Sequence, residues 1–451
     1  MLTSKDRIPF ITGIGIALFV NFFSWQNPFF WDTLLTSTIT QHYYENGFHN
    51  LILPTQIDAG HPPFFYVCIT LFYKIIGKNL FTAHLAMLPI ILSGVIAFIL
   101  LLRYFGFTLL QQVLAILTFF AIPHVLTQYS LVSYDATLLS LYLWALWAIL
   151  KAKNGLLTVL LILILAISLR GMVLWGALVV TTWYIYKIEL RKFLFPFVIS
   201  IFVITCWYIY HHWQCGWWFS TPAAGWANQR GWADFPQLLK NIFSIARCFF
   251  DLGIVVLSLL FVISLFTKKY NKQLVGLVLI PALLLSLSLL PFSNPVNHRY
   301  YLIVYVLLLL NVLHFMNQFN FRWSLMLILF LVFGNKMIYP VPISNAWDCT
   351  MLHRNYFTTK KAIFRQMDEM GISRTQTGTT FPLDAGMHQS DMTADTVRMI
   401  NVNGSSLDQV KYVLFSNVCN DFSNDQIEEI KTWNKLYRVS DGQVYIELYE
   451  K

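Results

Sequence analysis

From Ile8 to Ile338 the chain is a succession of apolar runs separated by short turns, and most of those turns hold Lys or Arg. A helix needs about 20 apolar residues to cross a bilayer, and basic residues stay on the cytoplasmic side. Only 12% of the 451 residues are charged and 57% are hydrophobic, whereas soluble domains carry about 25% charged residues. The pattern predicts an α-helical polytopic membrane protein. Eleven crossings are expected: Ile8–Ser24, Phe81–Leu102, Leu109–Leu126, Ala136–Leu150, Leu156–Leu169, Met172–Tyr186, Phe193–Tyr210, Phe249–Phe266, Leu274–Leu290, Tyr300–Phe315 and Trp323–Ile338. Phe64–Ile76, at 13 residues, is short for a span and reads as re-entrant or interfacial; if it does span, the early helices invert and Asp135 moves to the cytoplasmic face. Lys5 and Arg7 put the N-terminus in the cytoplasm, and no small-residue cleavage site follows the first run, which reads as a retained anchor.

The acidic residues are unevenly spread. Of 22, 14 lie from Pro340 onward, so the positive excess of the chain belongs to the membrane part, residues 1–339, and the tail is mildly acidic. That excess reads as cytoplasmic anchoring, with nothing to suggest nucleic-acid binding. Residues 340–451 read as a small extracytoplasmic α/β domain, with helices at Phe357–Met370 and Asn424–Trp433 and strands at Val410–Phe415 and Val444–Leu448. Two outer loops stand out: an acidic one over residues 25–62 and a tryptophan-rich one over 211–248, with Trp213, Trp217, Trp218, Trp226 and Trp232.

Carboxylates at the edge of a membrane are costly and usually functional. Asp32, after an aromatic run, is either a general base for an incoming hydroxyl or the N-cap of the following helix. The run Asp58-Ala-Gly-His61-Pro-Pro either presents His61 to a phosphate or is a loop ending in a proline helix start. Asp135 is a cap or a partner for a cation. Arg170, at a hairpin tip, and Arg299, before Tyr300, either snorkel to headgroups or clamp a phosphate. The two arginines beside an acidic loop suit an anionic lipid substrate. Cys349 and Cys419 form a disulfide only if the tail faces an oxidising compartment, and spacing leaves that open. No zinc pair of cysteines, HExxH, phosphate loop or dinucleotide fingerprint occurs, so no metal ligand set or cofactor is assigned. A divalent metal is neither supported nor excluded. The donor is expected to be membrane-borne.

In this order, an Asp after the first helix, a DxGHPP run, the Pro123/Asp135 helix pair and the basic-Gly tip Arg170-Gly171 resemble the GT-C membrane glycosyltransferases. The nearest branch is the protein O-mannosyltransferase and aminoarabinose-transferase group, and the resemblance covers most of residues 8–338. It implies the eleven-crossing fold and a transferase that moves a sugar from a polyprenyl-phosphate donor to an acceptor hydroxyl on a glycan, lipid or protein. It implies Asp32 as the catalytic residue, His61, Arg170 and Arg299 on the lipid phosphate, and Asp58, Asp135 and Tyr300 as supporting residues. Thr33 stands where the family often has Glu, and Arg170 and His61 stand where Lys occurs. The short tryptophan-rich loop lacks the β-trefoil of the eukaryotic branch, which argues for a bacterial enzyme of the cytoplasmic (inner) membrane with its C-terminal domain outside. The rival classes are a transporter or flippase, for which internal repeats are expected, and a non-catalytic scaffold. No repeat is visible.

Overall fold

The computed structural model describes residues 7–223, 230–293, 296–316, 322–336, 347–419 and 421–451. The expectations for Lys5, Trp226 and the domain boundary at Pro340 lie outside these residues. The rest is a helical bundle carrying a small mixed sheet at its C-terminal end.

Among the described residues, four helices are long and apolar enough to cross a membrane alone: Leu80–Tyr104, Arg191–Cys215, Lys272–Leu289 and His298–Met316. Two further candidates are bent pairs. Leu109–Ala121 meets Pro123–Tyr129 at 74°, and Phe235–Phe250 meets Ile254–Phe266 at 85°. The first bend corrects the expectation of one straight run to Leu126, and its cause is local. Pro123 drives Ile122 to extended backbone (φ −62°, ψ 116°) and brings no N–H to the helix ladder. The second bend shows that the end of the tryptophan-rich loop is an amphipathic helix, with Phe235, Leu239 and Phe243 exposed. Phe64–Ile76 is a helix of 13 residues, as its composition predicts.

Two helices are buried nearly all round. Tyr134–Leu150 and Leu302–Met316 have apolar residues on every face and therefore sit at the centre of the bundle. Their N-terminal ends carry Asp135 and Arg299, so these side chains inherit the rigidity of the core.

The sheet runs β2-β1-β3-β5-β4, with β1 Thr377–Thr379, β2 Ile400–Asn401, β3 Tyr412–Ser416, β4 Asn434–Asp441 and β5 Val444–Glu450. β1 is parallel to β2 and β3, while β5 is antiparallel to β3 and β4. The helix His353–Glu369 packs on this sheet. The helix Asn424–Thr432 starts at a Ser423/Gln426 capping box. The sequence reading passed over β4, whose side chains are mostly exposed, although Asp441-Gly442 is the turn signal of a hairpin.

The domain is pinned to the loop over residues 25–62. Phe29 N donates to Ser390 O at 2.7 Å, and Ser390 Oγ accepts in turn from Lys360 Nζ at 2.7 Å. Phe30 and Leu131 of the bundle belong to the same apolar core as Trp347 and Tyr356. The disulfide left open above does not form. Cys349 Sγ lies 3.0 Å from Asn297 Oδ1 and Cys419 Sγ 3.6 Å from Thr380 O, each buried and free at its own site.

Candidate active site

Trp31 to Thr33 opens the helix Thr33–Asn46, and the hydrogen bonds at its start come from Thr33 rather than from Asp32. Thr33 Oγ1 accepts from Phe30 N and donates to Phe30 O, both at 2.8 Å, whereas the Asp32 side chain makes no cap bond. Asp32 is thereby left to face Arg299, 267 positions away, with which it forms an ion pair.

Arg299 is the hub. It lies in the turn His298–Tyr301, whose cap Asn297 accepts from Arg299 N at 3.2 Å. Its terminal nitrogens pair with Asp32 and Asp348, and Nε lies 3.4 Å from Asp135. Asp135 also pairs with Arg170, whose guanidinium stacks 3.7 Å from the centre of the Tyr300 ring. Such cation–π stacking contributes about 0.5–2 kcal/mol and holds the planar group in one orientation. Ser133, not Asp135, caps the helix Tyr134–Leu150, accepting from Asp135 N at 3.1 Å. The structure thus brings Asp32, Asp135, Arg170, Arg299 and Tyr300 into one cluster. Asp135, Asp348 and Arg299 are at most 4% exposed, Arg170 is 16% exposed and Asp32 is 34% exposed. Among these three carboxylates, Asp32 alone opens to an incoming group.

Arg170 stands in the first turn of Leu169–Tyr186, one step past the tip where the sequence reading placed it. Gly171 explains how close the hairpin can be: a Cβ there would lie 2.0 Å from Ile164 O. His61 sits beside this turn. Its Nδ1 accepts from Leu169 N at 3.4 Å, which leaves Nε2 as the protonated nitrogen. Burial, then Arg230 and Arg170, push its pKa down to about 3. His61 is therefore neutral and offers its Nε2–H as a donor.

Asp58 does not reach the cluster in any hydrogen bond or ion pair among the described residues. It builds the turn, accepting from Gly60 N at 2.7 Å and from His211 Nε2 at 3.0 Å. Gly60 has φ +72°, and a Cβ there would lie 2.6 Å from Phe219 O. Arg230 closes the same corner, donating to Phe219 O and Ala59 O. Asp58, His211 and Cys215 have ligand atoms within 4.8 Å of one another, a set able to hold a metal ion. A metal there must displace the proton of the Cys215 thiol.

Two residues of this region escaped the sequence reading. Asp348 was counted with the soluble domain, although Trp347-Asp348 repeats the dipeptide Trp31-Asp32. It is held by Asn297 Nδ2 at 3.2 Å. Arg230 lay in a loop singled out for its tryptophans alone.

Against solved structures, the chain superposes on ArnT from Cupriavidus metallidurans bound to undecaprenyl phosphate with a TM-score of 0.55. The match covers 97% of either chain at 12% identity. The apo form of ArnT from the same organism gives 0.50, over 79% of this chain and 69% of that one, at 16% identity. The fold is that of ArnT. It is the fold that the resemblance to the GT-C aminoarabinose-transferase group implies. No family model matches the sequence, and no curated protein matches it.

Two buried histidines make stability depend on pH. His353 bridges Thr350 O at 2.8 Å and Ser130 Oγ at 3.3 Å, and burial lowers its pKa to about 4. Unfolded, His353 and His61 both titrate near 6.5. Between about pH 6.5 and 4 the unfolded chain binds protons that the folded chain refuses, so stability present above that window is lost on acidification. The melting temperature in detergent is expected to fall between pH 7 and pH 4.5, and by less in His353→Asn. A midpoint constant across that range contradicts the assignment.

Proposed function

We propose that the chain is an integral-membrane, inverting glycosyltransferase that takes a hexosyl or pentosyl group from a polyprenyl-phosphate donor. The observation that carries this reading is Asp32: the open carboxylate of the cluster, oriented by a buried arginine and standing beside an arginine and a neutral imidazole. The ArnT fold supports it, since the ArnT structure holds undecaprenyl phosphate.

In this reading the lipid tail lies along the helices and its phosphate meets Arg170 and His61 Nε2, with Arg230 behind His61. Arg299 was expected on the phosphate. Its nitrogens face Asp32, Asp348 and Asp135, so its part here is to hold Asp32 towards the acceptor. The acceptor hydroxyl attacks the anomeric carbon, its proton passes to Asp32, and the bond from that carbon to the phosphate oxygen breaks. The electron pair leaves with the polyprenyl phosphate. The cations stabilise the charge that develops on it, which is usually the largest single catalytic term. Asp58 and Asp135 support the site by building the His61 turn and by anchoring Arg170. A metal at Asp58, His211 and Cys215 would stiffen that turn.

The same reading includes eleven crossings, a cytoplasmic N-terminus and an outer C-terminal domain, in a bacterial inner membrane. The acceptor is a glycan, lipid or protein hydroxyl, and no nucleic acid takes part. Arg170→Ala is expected to weaken undecaprenyl-phosphate binding by about 10- to 100-fold, the worth of one charge-assisted hydrogen bond of about 1.5–3 kcal/mol. Titration of purified protein in nanodiscs measures this, and an unchanged affinity removes Arg170 from the phosphate.

A further inference from the structure

A buried polar atom without a hydrogen bond costs about 1–3 kcal/mol, so several at one place call for a ligand or water. At one end of the sheet the Tyr356 hydroxyl, the Thr380 hydroxyl and Asp384 Oδ1 have no partner among the described residues. Tyr356 is 3% exposed and Thr380 is fully buried. The other Asp384 oxygen accepts from Asn401 Nδ2 at 2.6 Å. Thr380 and Asp384 leave the C-terminal end of β1, Asn401 ends β2 and Asp421 follows β3, so the group gathers where three parallel strands end. Open α/β sheets bind their ligands at that edge. Asp384 lies within electrostatic reach of the Tyr356 hydroxyl and of Asp421. No ion pair holds either carboxylate among the described residues. Burial pushes the Asp384 carboxyl above its ordinary range.

This edge adjoins the candidate active site. Phe381, from the same loop, meets the half-buried Trp31 ring edge-on at 5.2 Å, and Tyr356 lies 5.2 Å from the Phe30 ring. Trp31 has φ +56°, a left-handed conformation that a bulky residue adopts only when its surroundings impose it. Asp32 is the next residue.

We propose that this cluster is the acceptor subsite and that it takes a sugar ring of a carbohydrate acceptor, handing one hydroxyl on to Asp32. Sugar hydroxyls both donate and accept. Asp384 and Asp421 supply acceptors, Tyr356 and Thr380 supply hydroxyls, and Trp31 supplies the apolar wall that a sugar face needs. An acyl chain leaves all these groups unpaired. A cation is a poorer fit, because the Tyr356 phenol is protonated and presents a donor.

The subsite rests on the transferase reading for its role but not for its binding, so the two separate in one experiment. The full chain in nanodiscs is titrated with methyl β-glucoside and methyl N-acetylglucosaminide by saturation-transfer NMR. Undecaprenyl phosphate and calcium ions are titrated in parallel. Both glycosides are expected to bind, about tenfold more weakly in Asp384→Asn, Tyr356→Phe and Asp421→Asn, with undecaprenyl-phosphate affinity unchanged. Asp421 is exposed, so its substitution leaves the fold intact. The proposal is overturned if neither glycoside binds wild type, if Asp421→Asn binds them equally well, or if only calcium binds and the variants abolish it. Glycoside binding without any binding of undecaprenyl phosphate keeps the subsite and removes the transferase reading.

Discussion

Asp32→Asn is expected to lower transfer by between about 10² and 10⁴-fold, the usual worth of a positioned general base, while undecaprenyl phosphate still binds. The asparagine keeps the shape and can still accept one hydrogen bond from Arg299, but it takes no proton. The stability cost is small, about 1 kcal/mol or less, because the carboxylate is one-third exposed and its pair with Arg299 is screened. The measurement is single-turnover release of polyprenyl phosphate, with thermal melting on the same sample. A variant that turns over like wild type removes Asp32 as the base. One that fails to fold shows instead that the pair is structural.

Arg299→Met is expected to act mainly on stability. It leaves Asp348, 1% exposed, and Asp135, 4% exposed, without their shared cation. Breaking a buried ion pair from one side costs about 3–5 kcal/mol, since the remaining charge is stranded. The folded yield in detergent should drop sharply, and Asp348→Asn in the same chain should restore part of it by removing one stranded charge. If Arg299→Met melts with wild type, the cluster does not hold the loop, the bundle and the Trp347–Cys349 turn together. A single variant that is destabilised but gains nothing from Asp348→Asn shows that the stranded charge is not the cause.

Much of this site was readable from the chain because polar residues are rare in it. Asp32, Asp135, Arg170 and Arg299 each interrupt apolar sequence at the edge of a run, and the structure gathers them at one end of the bundle. Their pairing was not readable. Asp32 and Arg299 are 267 positions apart, and only the packing of the Asp32 loop against the ends of the two central helices decides which carboxylate meets which guanidinium. Asp348 was missed because the change of composition near Pro340 suggested that everything beyond it belonged to a separate domain. In the structure Gln128 Nε2 donates to Asp348 O at 2.7 Å and ties that turn to the bundle. His61 was read as a group presented to a phosphate, without its protonation state. The burial and the neighbouring arginines that keep it neutral come from residues more than 100 positions away. In the fold, hydropathy located the helices but not the bends at Ile122 and after Phe250, where a single residue or a short turn redirects an apolar run.

The central claim is that Asp32 serves a hydroxyl while Arg170 and His61 hold a lipid phosphate. It is tested most directly by giving purified protein in lipid a polyprenyl-phosphate sugar, with wild type beside Asp32→Asn and Arg170→Ala. Release of polyprenyl phosphate by wild type, tight binding without turnover by Asp32→Asn and weakened binding by Arg170→Ala are the predicted results. Wild type that binds no polyprenyl-phosphate sugar contradicts the account.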